Sequence, residues 1–420
     1  MKTKAVRLYG KNDLRLEEFE LPPIKDDEIL AHIVSDSICM SSHKAVIQGK
    51  DHKRVPEDID KNPIIVGHEF CGEILEVGEK WKHKFEEGQR FTIQPAINYK
   101  GSLASPGYSY EYIGGAATHV IIPNEVMEMD CLLPYNGEAF FLGSLAEPMS
   151  CIVGAYHASY HTTSGSYVHD MGIVDGGNLA ILAGAGPMGF GAIDYALNAD
   201  RRPKLLVVTD IDAERLERAA SIFTPEDALK KGIRLEYVNT ATMENSEEYI
   251  YSLTDGKGYD DVHVYAPVRS VIEMADRLLG RDGCLNFFAG PTDTSFTAEL
   301  NFYNVHYAST HIVGTSGGNT DDMRESLKMM EEGSLNPSAM ITHIGGLDSV
   351  ADAIINLPNI PGGKKLAYTN IEMELTALED FKEKGKDDPL FAELAKLVEA
   401  NNGLWSVEAE KYLLENANTI

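Results

Sequence analysis

The sequence predicts an α/β protein of two domains, and three observations carry that prediction. The chain has 420 residues, more than one small hydrophobic core organises. Its first third consists of short apolar runs between Gly, Pro and Asn, the pattern of β-structure. From about residue 155 to 317, apolar strands alternate with amphipathic helical stretches, which implies a parallel sheet with helices on both faces.

In chain order, the apolar runs at 64–66, 73–77, 90–93 and 119–122 are expected as strands, and NYKGSLASPGYSYEY (98–112) as a long irregular loop. The alternating region opens with NLAILAG (178–184), a helix over 187–198 and the strand KLLVVTD (204–210). A helix near 212–221, a strand near 235–238, the strand 260–266, a helix over 270–280 and the strand 284–290 follow. Beyond 318, DDMRESLKMMEEG reads as a helix ended by Gly333, and ITHIGGLDSVADAI as a strand and a helix. The acidic tail is helical: Asp388 and Pro389 suit the N-cap and first position of a helix over 389–400, and Ser406 caps 407–417. The expected division is 1–154 with 318–420 as one domain and 155–317 as the other.

Hydrophobic content of 43% and charged content of 24% are ordinary for a globular protein, whereas a net charge of −28 is not. Such a charge argues against nucleic-acid and anionic-membrane partners. It also repels phosphorylated ligands, so any that bind need local cations or helix N-termini. The five cysteines (39, 71, 131, 151, 284) form no C-x-x-C pair, so no disulfide framework is indicated. The N-terminus lacks the apolar run of a signal peptide, and 179–197 holds the three glycines of GAGPMG and Asp194, so no membrane span is expected. These features point to the cytoplasm.

Two constellations carry chemistry. Cys39 in DSICMSSHK, His68 and Glu69 in VGHEFCGEILEVG, and Glu147 in SLAEPMSC combine thiol, imidazole and carboxylate, the ligand types of zinc. Pro148 is expected to hold Glu147 in an extended conformation. The second is GAGPMG, with Gly184, Gly186 and Gly189 between a strand and a helix, followed by Asp210 at the end of the next strand. That is the context of a dinucleotide turn, with the pyrophosphate at the helix N-terminus and the acid on the ribose hydroxyls. Asp210 favours NAD, while the nearby Arg201 and Arg202 leave NADP open. Cys71, Cys151 and Cys284 read as core, and His157, His161 and His169 as structural or surface residues.

The set Cys39-x-Ser41, Gly67-His68-Glu69, GGAATHVIIP (114–123), AEPMSC (146–151), GAGPMG (184–189) and VGTSGGNTDDMRESL (313–327) resembles the zinc-dependent medium-chain dehydrogenase/reductase family. Within it, the resemblance is to the polyol dehydrogenase branch, over residues 1 to about 370. It implies a GroES-like β-rich catalytic domain beside a Rossmann domain. It also implies a zinc held by Cys39, His68 and either Glu69 or Glu147, with Ser41 and then Lys44 passing a proton. Gly184, Gly186, Pro187, Met188, Gly189 and Asp210 would bind the nicotinamide cofactor. Three departures stand out. Ser42 replaces an aspartate that orients the zinc-bound histidine, and Met40 replaces an arginine that contacts pyrophosphate. No cysteine lies between Ile93 and Gly114, so one catalytic zinc and no structural zinc is expected.

The segments DCLLPYNGE, LNFFAGP and WSVEAEKYLL further resemble bacterial ketose-phosphate reductases. The implied reaction is reversible reduction of a ketose phosphate with NAD(P)H, foremost L-sorbose 1-phosphate to D-glucitol 6-phosphate, by a homodimer or tetramer. HKAVIQGKDHKR (43–54) supplies Lys50, Lys53 and Arg54 as candidate phosphate ligands, against the alternative of a solvated loop. Competing readings are a dehydrogenase of another polyol or polyol phosphate, a metal-free reductase, and a non-catalytic nucleotide-binding protein.

Overall fold

The computed structural model describes residues 1–420 and divides into two units. Met1–Glu147, Leu327–Glu332 and Ser338–Ile420 form one, and Pro148–Ser326 with Gly333–Pro337 the other.

In the first unit the organising element is the strand Ile29–Ile38, nine of whose ten residues are buried. It pairs antiparallel with Phe70–Val77, His119–Ile122 and Lys364–Tyr368, so both edges are occupied. Beyond these the sheet continues through Arg90–Ile93 and Leu132–Pro134 on one side, and through Ile341–Gly346 and Thr376–Ala377 on the other. Six of the ten residues of ILAHIVSDSI are apolar, and Ser35, Asp36 and Ser37 at its far end are buried with them. One core gathers Ile33, Phe70, Phe91, Ile93 and Val120. A second is closed by the C-terminal residues: Leu366 and Tyr368 pack with Phe381, Phe391, Leu394 and Trp405. The tail helices are bounded by their caps. Asp388 accepts from the Leu390 N–H ahead of Pro389–Ala400, and Ser406 from the Ala409 N–H ahead of Val407–Asn416.

The second unit holds a six-stranded sheet in the order Arg234–Asn239, Leu205–Asp210, Asn178–Leu182, Tyr259–Val264, Leu279–Phe287, His311–Gly314. All neighbouring pairs are parallel. Numbered along the chain this is 3-2-1-4-5-6, the doubly wound order, in which ligands sit beyond the carboxyl ends of the strands where the order reverses. The α/β class read from the sequence holds, with a β-rich unit and a parallel-sheet unit.

Two local expectations fail. Glu147 is helical, in the first turn of Ala146–Ala158. Pro148 needs no intrahelical N–H bond there, so a proline in a first turn is compatible with the helix. Arg201 and Arg202 lie ahead of the strand Leu205–Asp210, whereas the glycine turn and Asp210 lie at its carboxyl end. Arg201 is spent on Asp170, at 2.8 Å. A strand of six residues separates them by about 20 Å, at a rise of about 3.3 Å per residue.

Candidate metal centre and cofactor turn

Cys39 follows the central strand directly and caps a helix. Its backbone is extended (φ −112°, ψ 147°) and the helix Met40–Gln48 starts at the next residue, which puts Ser41 and Ser42 in the first turn. His68 arrives by a different route. Gly67 has φ +93°, and a Cβ there would lie 2.3 Å from Asp36 Oδ2 and 2.8 Å from the Ala116 nitrogen. Only glycine fits. Gly107 (φ +79°) backs onto it, since a Cβ at Gly107 would lie 2.1 Å from the Gly67 carbonyl oxygen. Contact between these two backbones brings the residues that follow them, His68 and Tyr108, together. Their rings are 4.8 Å apart, and the Tyr108 hydroxyl is 3.2 Å from His68 Nε2.

Cys39, His68 and Glu69 each present a ligand atom, all within 4.8 Å of one another. His68 Nε2 faces this group, 3.2 Å from Ser41 Oγ and 4.0 Å from Glu69 Oε1. Its Nδ1 lies 3.2 Å from Ser42 Oγ. A proton on Nδ1 donated to Ser42 leaves the Nε2 lone pair directed at the thiol and carboxylate. Ser42, read from the sequence as replacing an aspartate of the resembled family, meets the ring with a hydroxyl and adds no charge.

The electrostatics suit a cation. Burial pulls the His68 imidazole down to about 4, so it is neutral near pH 7. Burial pushes the Cys39 thiol up to about 12, with the Glu69 charge adding to it. Burial also opposes ionisation of Glu69, but Lys364 outweighs it and holds the carboxyl below its ordinary value. Lys364 Nζ stands 2.6 Å from each Glu69 oxygen. A neutral imidazole, an ionised carboxylate and a thiol that ionises readily only beside positive charge form the donor set of a borderline-soft divalent ion. Zinc fits this set.

Glu147 stands outside that group of three but close by, since its charge pushes up Cys39, Tyr108 and Lys364. Ser41 Oγ donates toward Cys39 Sγ at 3.0 Å and accepts from the Tyr108 hydroxyl at 2.9 Å. Lys44 is half-buried on the same helix, and the His43 ring is held by the Ile354 carbonyl at 2.8 Å. Lys50 and Lys53 are exposed. Arg54 is half-buried with its guanidinium 5.5 Å from the centre of the Tyr108 ring, on which His52 also stacks at 5.7 Å. Sequence reasoning missed Tyr108 and Lys364. Their signals were an aromatic cluster after Gly107 and a pair of lysines opening the otherwise apolar strand KKLAY.

In the second unit the three turn glycines have three separate reasons. A Cβ on Gly184 would strike Ile181 at 2.5 Å, and one on Gly189 would strike the Gly184 carbonyl oxygen at 1.9 Å, which fixes how closely helix and strand pack. A Cβ on Gly186 meets nothing within 4 Å, so the approach to the N-terminus of the helix Pro187–Asn198 is open. Asp210 accepts from the Ala185 N–H at 3.1 Å and the Ile211 N–H at 2.8 Å, so its carboxylate lies against the glycine turn. This arrangement is that of a dinucleotide-binding turn.

Comparison with known proteins agrees with both units. Residues 25–130 match the alcohol dehydrogenase GroES-like domain, and residues 187–332 match the zinc-binding dehydrogenase domain. The chain is 54% identical to mannitol-1-phosphate 5-dehydrogenase of Aliivibrio fischeri, over 98% of this chain and 97% of that protein. It is 50% identical to L-sorbose 1-phosphate reductase of Klebsiella pneumoniae, over 100% and 98% of the two chains. Among solved structures, 2R,3R-butanediol dehydrogenase from Bacillus subtilis superimposes with a TM-score of 0.70 at 21% identity, covering 88% of this chain and all of the other. The chain belongs to the zinc-dependent medium-chain dehydrogenase family.

Proposed function

We propose that the protein is a zinc-dependent, NAD(P)-linked oxidoreductase that interconverts a polyol phosphate and its ketose phosphate. L-sorbose 1-phosphate and D-glucitol 6-phosphate are the foremost pair. The observation that carries this is the convergence of Cys39, His68 and Glu69 beneath a tyrosine that bears an arginine. Likeness to two sugar-phosphate oxidoreductases supports the substrate class, and mannitol 1-phosphate is the second candidate.

Cys39 and His68 would hold the zinc, with Glu69 or Glu147 as the third protein ligand. Bound there, zinc supplies Lewis acidity toward a substrate oxygen, and the nicotinamide supplies or takes the hydride. The remaining work falls to the chain. The Tyr108 hydroxyl donates to Ser41 Oγ, whose own hydrogen points to Cys39 Sγ and would turn to a substrate oxygen when substrate binds. The half-buried Lys44 lies one helical turn along and would carry the proton outward. Lys364 keeps Glu69 ionised where burial would protonate it. Among the candidate phosphate ligands, Arg54 is favoured over Lys50 and Lys53. It is held on the Tyr108 ring, whereas the two lysines are exposed.

Gly184, Gly186, Pro187, Met188, Gly189 and Asp210 would receive the cofactor, and Asp210 favours NAD because a 2′-phosphate would meet its charge. We assign one zinc per chain, the cytoplasm, and a homo-oligomer formed across the edge strand His311–Gly314. The exposed Phe302, Tyr303 and Tyr307 precede that edge. No helix is long and apolar enough to cross a membrane.

The test is a panel of ketose phosphates and the corresponding free sugars with NADH and NADPH, followed at the nicotinamide absorbance before and after chelation. Chelator-insensitive turnover would refute the metal. Equal turnover of free and phosphorylated sugars would refute the substrate class. Arg54→Ala should raise KM for the phosphorylated sugar alone.

A further inference from the structure

We propose that the C-terminal extension, the tail carrying the helices Pro389–Ala400 and Val407–Asn416, positions the metal site, and that Glu410 is the residue through which it acts. The proposal rests on the metal-site reading above.

Glu410 is 3% exposed, and its carboxylate receives three hydrogen bonds. The Phe140 N–H donates at 2.6 Å, the Phe141 N–H at 2.8 Å and the Tyr368 hydroxyl at 2.7 Å. Trp405 Nε1 donates in turn to the Tyr368 oxygen at 2.8 Å. No lysine or arginine pairs with this carboxylate. Burying an ion without an ion pair is costly: burial pushes Glu410 up to about 6, although its hydrogen bonds and the Arg90 charge favour the ionised form. The geometry shows what that cost secures, along two routes.

The first route runs through the short helix Phe140–Ser144, whose leading N–H groups Glu410 holds. Ser144 Oγ donates to the Ser35 carbonyl at 3.0 Å, tying this helix to the central strand. Two residues later the chain enters Ala146–Ala158, with Glu147 in its first turn. The second route runs through Tyr368. It ends the strand Lys364–Tyr368, and side chains two and four apart share a face. Tyr368 and Leu366 are packed against the extension, and Lys364, next on that face, grips Glu69. The same strand pairs with the central strand at Ile38, the residue before Cys39. One buried carboxylate therefore braces the backbone that presents Glu147 and the backbone that presents Lys364.

Glu410→Gln keeps the shape but offers one acceptor oxygen, so one of the two N–H groups faces an amide instead. The experiment measures Co2+ binding to the full-length protein by its visible absorption and by competition with a chelator. Glu408→Gln, an exposed acid on the same helix, serves as the control. The expected result is a folded Glu410→Gln protein with Co2+ affinity at least tenfold weaker and a shifted spectrum, beside an unchanged control. Tyr368→Phe removes one donor and keeps the ring; it should weaken affinity about threefold, and it decides the matter if Glu410→Gln does not fold. Folded variants with unaltered affinity and spectrum would overturn the proposal and leave the extension as a cover over the core. If wild type binds no Co2+, or Cys39→Ser leaves its spectrum unchanged, the metal-site reading itself fails.

Discussion

Lys364→Met tests the electrostatic logic of the metal site directly. In the wild type the Lys364 ammonium lies 2.6 Å from both Glu69 oxygens, with side-chain exposures of 6% and 1%. Methionine keeps most of the volume and removes the charge, leaving a buried carboxylate without its partner. Breaking one side of a buried pair costs about 3–5 kcal/mol. In the metal-free protein that loss should lower the urea midpoint of the first unit by about 1–2 M, for a slope of about 2.5–3 kcal/mol per M. Both tryptophans, Trp81 and Trp405, lie in this unit, so their fluorescence reports its unfolding. A divalent ion bound by Cys39 and His68 gives Glu69 another positive neighbour, so zinc should recover at least half of the deficit. The sign with pH follows from Glu69 being held below its ordinary value of 4.5. The pair stabilises the protein above that pH, and the contribution disappears as pH falls through the lowered value in the fold. A metal-free loss under about 1 kcal/mol, or the same loss with and without zinc, would refute the reasoning.

Four further outcomes are expected. Ser42→Ala removes the partner of His68 Nδ1, and zinc affinity measured against a chromophoric chelator should fall about 10–100-fold; unchanged affinity would mean the ring is oriented by something else. Gly189→Ala puts a Cβ 1.9 Å from the Gly184 oxygen and should weaken NADH binding, read by fluorescence titration, while zinc content stays constant. Gly186→Ala, at an open position, should weaken cofactor binding without lowering stability, and loss of stability there would contradict the assignment. His157 is pushed up to about 9 by hydrogen bonds to Asp322 and then Glu325, against an ordinary value of 6.5. Its stabilising effect is complete below 6.5 and lost as pH rises through 9, so Tm should drop over that window in wild type and less so in His157→Gln.

Legibility in the sequence followed the range of the interaction. Helices such as 389–400 were bounded correctly because Asp388 and Pro389 act within one turn of chain. The glycine turn was legible because strand, turn and helix are consecutive, and Gly184 and Gly189 answer to neighbours a few residues away. The candidate set Cys39, His68 and Glu69 was legible because a thiol, an imidazole and a carboxylate in apolar surroundings suit few roles together, and the structure brings these three within 4.8 Å. Distances through space were not. The placement of Arg201 and Arg202 near the cofactor turn failed because closeness along the chain hides the length of an intervening strand. The extended conformation expected for Glu147 failed because a preference local to Pro148 yielded to a buried helix.

The sequence by itself thus determined the fold class, the glycine turn and the residue types of the candidate metal site, since these rest on short-range geometry and on side-chain chemistry. Only the tertiary structure decided what surrounds them. Lys364 reaches Glu69 across 295 positions, Tyr108 reaches Ser41 across 67, and Glu410 holds Phe140 across 270. Such partners leave no periodic trace in the chain, because pairing across a folded sheet depends on register and burial rather than on sequence spacing.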